Sequence, residues 1–429
     1  MIVFYNLLLL LALLLGAPYW AYRILSRPKL REGLRERFGL APRRARTHNR
    51  RVVWVHAVSV GEVVAVSRFI HDLETRAPDI DVIVSTTTRT GQRLAQDRFG
   101  AARCFYFPFD LPWVVRRSLS QIKPALLVLT ESELWPNMLH CCRRRGIPVL
   151  VVNGRISDRS LPRYLALRRF WKSFLQALSL VLAQSEEDAR RFIRIGLPTA
   201  RVHCGGNLKF DVRMPQPLPI VAAVSAQLPS EARVLVCGST LAGEELMLLD
   251  AWTQVCARVP DAVMILAPRH PERFAEVAAL LDQRRAAWHR RSTWLGAPQP
   301  LLPASILLLD TIGELAALYA VAQLAFVGGS LIDAGGHNPL EPAQFGVPSV
   351  VGEHNGNFRG IVDRLLAREA IRIVAAGSLS HVLTDLLADK EAAEKMGARA
   401  LEVFDSEAGA TELAIDAALM LLSDSRPRV

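Results

Sequence analysis

Two sets of short apolar runs, each run followed by a helix-length segment, constrain the fold of this 429-residue chain more than any other feature. The runs are continuously apolar instead of alternating with polar residues, which is typical of parallel strands covered by helices on both faces. The sequence therefore predicts an α/β protein with two Rossmann-like doubly wound domains. The predicted strands are 52–55, 82–85, 126–130, 149–152 and 180–183 in the first domain, and 234–237, 263–267, 306–309, 324–327 and 349–351 in the second.

A proline-rich segment marks the boundary between the two predicted domains. Residues 211–219 contain three prolines, which remove backbone donors and suit neither a sheet nor a helix interior. Because doubly wound sheets bind ligands beyond the carboxyl ends of their strands, we expect the domains to face each other across a ligand-binding cleft. The predicted segments are a membrane anchor (1–22), a basic segment (23–50), an N-terminal domain (51–211), a hinge (212–219) and a C-terminal domain (220–429).

The first segment predicts a transmembrane helix. Residues 2–22 carry no charge and are rich in leucine, and at about 1.5 Å per residue they are long enough to cross a hydrocarbon layer of about 30 Å. A cleaved signal peptide would have a basic segment before the apolar run and a small-residue cleavage site after it. The run instead begins at once and ends in aromatic residues that suit the membrane–water interface, so we expect a retained anchor.

The basic residues are concentrated beside this helix. Residues 1–50 contain ten Lys or Arg and two Glu, a net charge of +8 out of +11 for the whole chain. Such a block favours the cytoplasmic side of a membrane and attracts anionic lipids, whereas a nucleic-acid-binding protein would spread its basic surface over the folded domain. We therefore expect both domains on the cytoplasmic side and no nucleic-acid partner.

The six cysteines show no CxxC pair and no metal-ligand spacing, and most lie in apolar stretches. The sequence also lacks a His/Cys/Asp cluster with such spacing. We expect reduced, structural thiols, no bound metal and no cofactor.

A glycine-rich stretch after the ninth predicted strand suggests an anion site. Four glycines within nine residues let backbone amides such as those of Gly329 and Ser330 approach a phosphate, and Asn338 opens a helix whose dipole favours negative charge. Glu341 would then reach a sugar attached to that phosphate. Asn338 and Glu341 also match a capping box, in which Glu341 only satisfies the helix start.

A second constellation follows the first predicted strand. Glu62 lies near the positive terminus of the next helix, where a carboxylate can take a proton from a hydroxyl nucleophile. Ser59 and Glu62 also match a capping box, which would account for both residues without chemistry. His56 could orient a substrate group, or be a hydrogen-bonded core residue.

Polar turns follow the other strands of the first domain, at the same predicted edge. Thr88 and Arg89 suit a carboxylate or phosphate, or belong to an ordinary helix cap. Glu131 and Glu133 follow the third strand, and the sequence does not decide which of them faces the cleft. Arg155 has the same position after the fourth strand.

One predicted helix, 163–174, interleaves basic and aromatic residues. Its cations and rings could rest on lipid headgroups, or the segment could be an ordinary amphipathic helix with a solvated face. The neighbouring anchor favours the membrane alternative.

The second domain also ends its strands in polar or glycine-bearing turns. Lys209, just before the hinge, could reach the cleft or be a solvated lysine. Arg269 can stack on or hydrogen-bond a base or phosphate, and Ile312 with Gly313 could frame a flat ring. Together these turns predict a nucleotide pocket.

Six motifs occur in order along the chain: His56-Ala-Val-Ser-Val-Gly-Glu62, Thr130-Glu-Ser-Glu-Leu-Trp-Pro-Asn137, Gly206-Asn-Leu-Lys-Phe-Asp211, Pro268-Arg-His270, Asp310-Thr-Ile-Gly-Glu-Leu315 and Gly335-Gly-His-Asn-Pro-Leu-Glu-Pro342. Their combination resembles the bacterial Kdo (3-deoxy-D-manno-octulosonic acid) transferases of lipopolysaccharide biosynthesis. The likeness covers nearly the whole chain, including the N-terminal segment. It departs from the family at Val58, where a second serine is usual, beside the residue that corresponds to the base.

The resemblance implies a GT-B glycosyltransferase at the bacterial inner membrane, with CMP-Kdo as donor and a lipid A precursor, lipid IVA, as acceptor. It also implies inversion at the anomeric carbon, no catalytic metal, and Glu62 as the general base. The nucleotide contacts would be Arg269, Ile312, Gly313, Gly329, Ser330, Asn338 and Glu341. Candidates for acceptor or sugar binding are Ser59, Thr88, Arg89, Glu131, Arg155 and Lys209.

Two alternatives stay open at this point. A UDP-sugar-dependent transferase or epimerase on the same two-domain scaffold would need more charge neutralisation at a diphosphate. A membrane-tethered binding protein could keep the nucleotide pocket without turnover.

Overall fold

The computed structural model describes residues 1–26, 31–40, 50–212, 219–294 and 299–424. By its internal contacts the chain divides into two units, of which unit 1 comprises Met1–Val212 with Ala408–Val429 and unit 2 comprises Arg213–Glu407. Each unit is built on one parallel sheet of seven strands with helices on its faces.

The strands of unit 1 are β1 (Arg51–His56), β2 (Ile80–Thr86), β3 (Cys104–Tyr106), β4 (Leu126–Thr130), β5 (Val149–Gly154), β6 (Leu180–Ala183) and β7 (Val202–Cys204). They pair in parallel in the order β3-β2-β1-β4-β5-β6-β7. Successive side chains of β1 point to opposite faces of the sheet. Val53 and Val55 belong to one apolar core cluster and Trp54 belongs to the other. Both faces of the sheet are therefore covered, as the continuously apolar runs predict.

The helices of unit 1 before its last segment are α1 (Ile2–Ser26), α2 (Leu34–Arg37), α3 (Val60–Arg76), α4 (Arg89–Phe99), α5 (Pro112–Ile122), α6 (Pro136–Arg144), α7 (Leu161–Ala166), α8 (Arg168–Leu175) and α9 (Glu186–Ile195). Short 3-10 helices cover Ala101–Arg103, Thr199–Arg201 and Leu208–Asp211. Residues of α3 share a core cluster with Val53, whereas residues of α6, α8 and α9 share the cluster of Trp54.

The strands of unit 2 are β8 (Arg233–Thr240), β9 (Ala262–Pro268), β10 (Trp288–Arg290), β11 (Ile306–Leu308), β12 (Leu324–Val327), β13 (Ser349–Gly352) and β14 (Ile371–Val374). Their parallel order is β10-β11-β9-β8-β12-β13-β14. The helices are α10 (Pro219–Ser225), α11 (Glu244–Arg258), α12 (Phe274–Gln283), α13 (Arg291–Trp294), α14 (Leu315–Leu318), α15 (Leu340–Ala343), α16 (Arg359–Ala367), α17 (Leu379–Ala388) and α18 (Lys390–Ser406). Short 3-10 helices cover Pro271–Arg273, Tyr319–Val321, Gly356–Phe358 and Ala376–Ser378.

All ten predicted strands are present, so the predicted α/β fold with two doubly wound sheets is confirmed. The four strands that the apolar pattern missed are β3, β7, β10 and β14, which are the four edge strands. Of these, β7, β10 and β14 contain residues that are exposed or only partly buried, whereas β3 is buried but only three residues long. Their short, mixed sequences therefore do not stand out as apolar runs.

The predicted helix 163–174 is two helices, α7 and α8, which meet at Leu167. The rings of Tyr164, Phe170 and Trp171 pack against the apolar core of unit 1, and the ring of Phe174 is part of that core. These aromatic side chains therefore support the amphipathic-helix alternative.

Parts of the predicted hinge and of the predicted basic segment lie outside the described residues. Of the hinge 212–219, residues 213–218 are not described, and of the basic segment 23–50, residues 27–30 and 41–49 are not described. The division between the units falls between Val212 and Arg213, at the start of the predicted hinge.

The end of the chain corrects the predicted extent of the second domain. The last helix, α19 (Ala410–Asp424), belongs to unit 1, where Ala414, Ile415 and Leu422 join the core cluster of α3. The buried carboxylate of Asp211 accepts hydrogen bonds from Gly409 N at 2.7 Å and Thr411 N at 2.6 Å. Asp211 therefore caps α19 from a distant part of the sequence, which a local capping pattern cannot reveal.

The helix α1 is long and apolar enough to cross a membrane. Its residues Ile2–Tyr19 have a mean hydropathy of 2.1, and none of them is buried. Leu14 and Leu15 are 65% and 76% exposed. By length and composition, this helix matches the predicted membrane segment.

We expect the substitution Asp211→Ala to loosen α19 without unfolding unit 1. Two charge-assisted bonds from helix-terminal amides are lost, which costs about 2 to 4 kcal/mol locally. Hydrogen exchange read by mass spectrometry should show faster exchange across 410–424 and little change in β1 and β4. The control Asp416→Ala, whose side chain is 69% exposed in its ion pair with Arg76, should leave the exchange of α19 unchanged. Equal exchange in both variants would contradict the capping role.

Candidate active site

The strand order of each sheet reverses between two neighbouring central strands. In unit 1 the chain moves outward from β1 to β3 and then returns to place β4 on the other side of β1. In unit 2 it moves from β8 toward β10 and returns to place β12 beside β8. Turns that leave such a switch point diverge and open a crevice at the carboxyl ends of the strands, which is where doubly wound sheets bind ligands.

Glu62 lies at the switch point of unit 1. It is in the first turn of α3, which follows β1, and it is only 9% exposed. Its Oε2 atom accepts hydrogen bonds from Val58 N at 2.8 Å and from Thr130 Oγ1, which is at the end of β4. Its Oε1 atom accepts from Ser59 Oγ at 3.2 Å. The carboxylate thus joins the turn after β1 to the end of β4.

The capping box predicted for Ser59 and Glu62 takes a different form. Ser59 is the N-cap of α3, but its hydroxyl donates to Glu62 instead of accepting from a helix amide. Glu62 in turn bonds to the amide of Val58, one residue before the N-cap. The two residues therefore hold the turn together.

Two further carboxylates lie close to Glu62. Burial, reinforced mainly by the charge of Glu131, raises the pKa of Glu62 to about 7, although the hydrogen bonds from Thr130 and Val58 N lower it. Burial also raises the pKa of Glu133, whose Oε2 accepts from Trp135 Nε1 at 3.0 Å. Glu131 has a φ of 56°, a strained value for this residue type. Of the two acidic residues after β4, Glu131 acts more strongly on Glu62.

His56 is a core residue. Its imidazole is fully buried, stacks on Phe107 at 3.8 Å between centroids, and places Nδ1 3.0 Å from the carbonyl and hydroxyl oxygens of Ser85. Burial lowers the pKa of His56 to about 3, so the ring is neutral near pH 7. These contacts support the core alternative.

The loop after β2 supports the turn that carries Glu62. The amides of Thr87 and Thr88 and the Thr88 hydroxyl all donate to Val58 O, at 3.2, 3.0 and 3.1 Å. Thr88 also caps α4 by accepting from Gly91 N, so the predicted cap is present. Arg89 forms an ion pair with Glu32 at 2.5 Å.

The other candidates of unit 1 follow its later strands. Arg155 follows β5 and is partly exposed, and Lys209 lies, partly exposed, in the 3-10 helix after β7. Asn153, at the end of β5, has a φ of 57°, and its Oδ1 accepts from Leu208 N at 3.2 Å. The binding roles of Arg155 and Lys209 stay predictions.

In unit 2 a buried glutamate occupies the amides of the glycine-rich loop. Glu244, the first residue of α11, has no exposed surface. Its Oε2 accepts from Leu241 N at 2.9 Å and Gly329 N at 2.7 Å, and its Oε1 accepts from Ser330 N and Leu331 N, both at 3.0 Å. This carboxylate joins the turn after β8 to the loop after β12, across the switch point.

The loop after β12 is also fixed by close backbone packing. A Cβ atom on Gly328 would lie 2.5 Å from Ser239 O, so only glycine fits there. Gly329 has a φ of 69°, and its carbonyl accepts from Gly336 N at 2.7 Å. His337 N donates to Gly328 O at 3.1 Å, which closes the loop on itself.

These contacts correct the predicted anion cradle. The amides of Gly329 and Ser330 bond to Glu244, so they are not free to receive a phosphate. The helix after Asn338 is α15, a single turn of four residues, and Asn338 Oδ1 accepts from Leu340 N at 3.2 Å. A strong helix dipole is therefore absent from this position of the described chain. The loop itself still lies at the switch point of the sheet.

Glu341 does not complete the predicted capping box. Within the described part of the chain, no donor bonds to its carboxylate. Burial raises the pKa of Glu341 to about 7, and the charge of Arg269 lowers it. Arg269 is exposed after β9, with its amide donating to Thr240 O at 2.9 Å, and its charge also acts on His337. Arg269, His337 and Glu341 therefore form one polar neighbourhood beside the glycine-rich loop.

The loop after β11 presents two of the predicted nucleotide contacts. Asp310 accepts from Ser292 N at 2.8 Å and Ser292 Oγ at 2.6 Å, and Glu314 accepts from Arg291 Nη2 at 2.8 Å. The acidic residues of the motif are thus structural. Ile312 and Gly313 form the tip between them, with Ile312 80% exposed and Gly313 at a φ of 91°.

Three residues that shape these sites could hardly be identified from local sequence patterns. Glu244 was visible only as part of Gly243-Glu-Glu at a helix start, and Thr130 only as the first residue of a motif. Tyr319 is buried, and a Cβ atom on Gly238 would lie 2.0 Å from its hydroxyl oxygen. Their partners are distant in sequence, so local spacing could not indicate them.

Among the described residues, no group of three or more His, Cys, Asp or Glu side chains is arranged to hold a metal ion. All six cysteines are free thiols, and Cys204 is the exposed one.

Residues 32–212 match the family model described as 3-deoxy-D-manno-octulosonic-acid transferase (kdotransferase). A 3-deoxy-D-manno-octulosonic acid transferase of Bordetella pertussis is 35% identical over 391 residues, which cover 89% of this chain and 90% of that protein. The protein of the same name from Haemophilus influenzae is 32% identical over 417 residues, which cover 96% and 97% of the two chains.

Solved structures with a similar fold are more distant in sequence. The UDP-GlcNAc 2-epimerase of Neisseria meningitidis has a TM-score of 0.58 at 13% identity and covers 86% of this chain and 100% of its own. Acinetobacter baumannii MurG has a TM-score of 0.53 at 14% identity, with coverage of 86% and 99%. These likenesses concern the GT-B-like fold alone. The identities to the Bordetella and Haemophilus proteins over most of the chain show that it belongs to the 3-deoxy-D-manno-octulosonic acid transferase family of glycosyltransferases.

Proposed function

We propose that this protein transfers Kdo from CMP-Kdo to a lipid A precursor, lipid IVA, with inversion and with Glu62 as the general base. The observation that supports this most is the state of Glu62 at the switch point of unit 1. Burial and Glu131 raise its pKa to about 7. A carboxylate with this pKa is largely ionised just above neutral pH and is more basic than an exposed one.

The reaction is a single displacement. The acceptor hydroxyl oxygen bonds to the anomeric carbon of Kdo while the bond from that carbon to the phosphate oxygen of CMP breaks. The hydroxyl proton passes to Glu62, and CMP leaves with the electron pair. Attack from the face opposite the leaving group inverts the anomeric configuration.

Unit 2 supplies the nucleotide contacts in this proposal. Ile312 and Gly313 frame the base, Glu341 bonds to the ribose, and Arg269 balances phosphate charge. Gly329, Ser330 and Asn338 shape the loop beside the phosphate. Because Glu244 already occupies three loop amides, stabilisation of the leaving group depends on cationic side chains more than on backbone amides.

Unit 1 supplies the acceptor side. Ser59 and Thr88 fix the turn of Glu62, while Arg89, Glu131, Arg155 and Lys209 are candidates for the sugar and its anionic groups. The apolar helix α1 attaches the protein to the cytoplasmic face of the bacterial inner membrane, where the basic segment meets anionic lipids. The reaction needs neither a cofactor nor a metal ion.

Incubating membranes that contain the protein with CMP-Kdo and lipid IVA should yield lipid whose mass has increased by Kdo. Glu62→Gln should lower this transfer by about 10²- to 10⁴-fold, because an amide cannot accept the proton. The amide oxygen can still accept from Val58 N, so the variant should fold and bind CMP. Transfer that is unchanged in Glu62→Gln would remove Glu62 from the mechanism.

Two further arms of this assay separate the alternatives. Transfer should persist in EDTA; its loss on chelation, with activity on UDP-sugars, would favour a UDP-sugar enzyme. CMP binding without transfer by the unsubstituted protein would favour a binding protein.

The Thr130 hydroxyl should tune the pH dependence of transfer. It lies within hydrogen-bond distance of both Glu62 Oε2 and His56 O, the latter at 2.8 Å, so it can donate to ionised Glu62 or accept from protonated Glu62. Its bond lowers the pKa of Glu62, so Thr130→Val should raise that pKa. The rate rises with pH as Glu62 ionises, and the midpoint should therefore move upward by about one pH unit.

Glu131→Gln provides the opposite change, since it removes a negative charge that raises the pKa of Glu62. The midpoint of the pH dependence of transfer should therefore move to lower pH in Glu131→Gln. The measurement is the pH profile of kcat for both variants, and shifts in the same direction would contradict the proposed control of Glu62.

Glu244 should position the nucleotide loop. In Glu244→Gln, one oxygen of the carboxylate becomes an NH₂ group that faces two N–H donors, so the loop after β12 should lose its geometry. We expect CMP binding to weaken about tenfold or more, with a larger effect on KM for the donor than on kcat.

The matched control is Glu245→Gln. Glu245 is also buried, but it pairs with Arg273 and accepts from Thr240 Oγ1 instead of bonding to loop amides. Calorimetric titration should show near-normal CMP affinity in Glu245→Gln. The melting temperatures of the Glu245→Gln and Glu244→Gln proteins should be comparable. Equal loss of CMP affinity in both variants would mean that the effect is general destabilisation.

A further inference from the structure

Two polar side chains interrupt the apolar start of α1, and both bond to unit 1. Tyr5 Oη donates to Asp110 Oδ2 at 3.0 Å, and Asn137 Nδ2 donates to Asn6 Oδ1 at 2.8 Å. We call these two contacts the N-terminal clasp. Tyr5 and Asn6 are the only residues between Ile2 and Pro18 whose side chains carry hydrogen-bonding groups.

The residues of unit 1 that form the N-terminal clasp are buried and hydrogen-bonded. Asp110 is 7% exposed and Asn137 is 1% exposed. The Asp110 carboxylate also accepts from the amides of Asn137 at 3.0 Å and Met138 at 2.9 Å, at the start of α6. Asn137 Nδ2 donates in addition to Asp110 O at 2.6 Å. The clasp therefore attaches the first turn of α1 to buried, hydrogen-bonded groups.

The segment that follows α1 returns to the same part of unit 1. Glu36 Oε2 accepts from Tyr106 N at 2.7 Å, and Glu32 Oε1 accepts from Tyr106 Oη at 2.9 Å. Arg37 O accepts from Phe109 N at 2.8 Å. Tyr106 is only four residues from Asp110, which limits their Cα separation to about 14 Å. The start of α1 and the segment that follows the helix are thus both bonded to the short stretch that contains Tyr106 and Asp110.

The length of α1 and the reach of the segment after it determine whether the helix can span a membrane. From Tyr5 to Ser26 the helix is about 31 Å long, which is enough to cross a hydrocarbon core of about 30 Å. The six peptide steps from Ser26 to Glu32 reach at most about 22 Å, so the chain cannot cross that core a second time to return to Tyr106.

We propose that α1 is embedded from one side, entering and leaving the membrane on the face that unit 1 occupies, and that the N-terminal clasp prevents it from spanning. Its partner is the hydrocarbon of a single lipid leaflet, which the exposed leucines of the helix contact. Arg23 at its far end meets the headgroups of that leaflet. The placement is independent of which sugar the protein transfers.

Cysteine labelling in spheroplasts tests this placement. Single cysteines replace Val3, which is 68% exposed, or the exposed Ser26, in the full chain with the exposed native Cys204 changed to Ser. A membrane-impermeant maleimide is applied to intact spheroplasts and, in parallel, to detergent-opened membranes. For both positions, we expect outside labelling below about a tenth of that in the opened sample.

The clasp is tested by Tyr5→Phe with Asn6→Leu in the Val3→Cys protein. Without the clasp, an uninterrupted apolar helix followed by basic residues should span, so outside labelling at Val3→Cys should rise about fivefold or more. The control Tyr22→Phe changes an exposed ring of the same helix, 71% exposed, and should leave labelling low. Strong outside labelling of the parent Val3→Cys protein would overturn the proposal, and so would unchanged low labelling after the clasp is removed.

Discussion

In each unit a buried glutamate carboxylate joins two backbone turns at the point where the strand order reverses, and this contact fixes the geometry of each candidate site. Glu62 holds the turn after β1 to Thr130 at the end of β4, and Glu244 holds the turn after β8 to the loop after β12. Neighbouring parallel strands end at the same edge, but the turns that leave a switch point diverge. A carboxylate can bridge such turns because its two oxygens accept several hydrogen bonds at once.

The two carboxylates differ in how completely their oxygens are satisfied. Glu244 accepts four backbone N–H bonds and has no exposed surface, so it acts as a fixed internal anion that shapes a loop. Glu62 accepts from one amide and two hydroxyls, is 9% exposed, and has Glu131 as a neighbouring negative charge. A hydroxyl, unlike an amide, can also accept a hydrogen bond, so the surroundings of Glu62 tolerate its protonated form. The same position in the fold therefore suits structure in unit 2 and proton transfer in unit 1.

Local pattern was enough to predict the inner strands and the position of Glu62, because both depend on residues that are close in sequence. The edge strands lacked a continuous apolar signal, and Asp211, which caps α19 across almost two hundred residues, had no local partner to reveal it. The glycine-rich loop shows the same limit. Its composition predicted free amides, but the carboxylate that fills them, Glu244, comes from a turn about eighty-five residues earlier in the chain. Spacing rules describe contacts within a turn, whereas these contacts arise only when the sheet brings distant turns together.

The segment after α1 contributes to the position of Glu62. Arg37 Nη2 donates to Thr87 O at 2.6 Å, Thr87 N donates to Val58 O at 3.2 Å, and Val58 N donates to Glu62 Oε2 at 2.8 Å. The Arg37 guanidinium also lies over the ring of Tyr106, at 4.5 Å from its centroid. These hydrogen bonds, linked through the backbone of Thr87 and Val58, connect the segment after α1 to the carboxylate. If the acceptor is a lipid, as we propose, the residues that follow the apolar helix are also those that hold the turn of Glu62 in place.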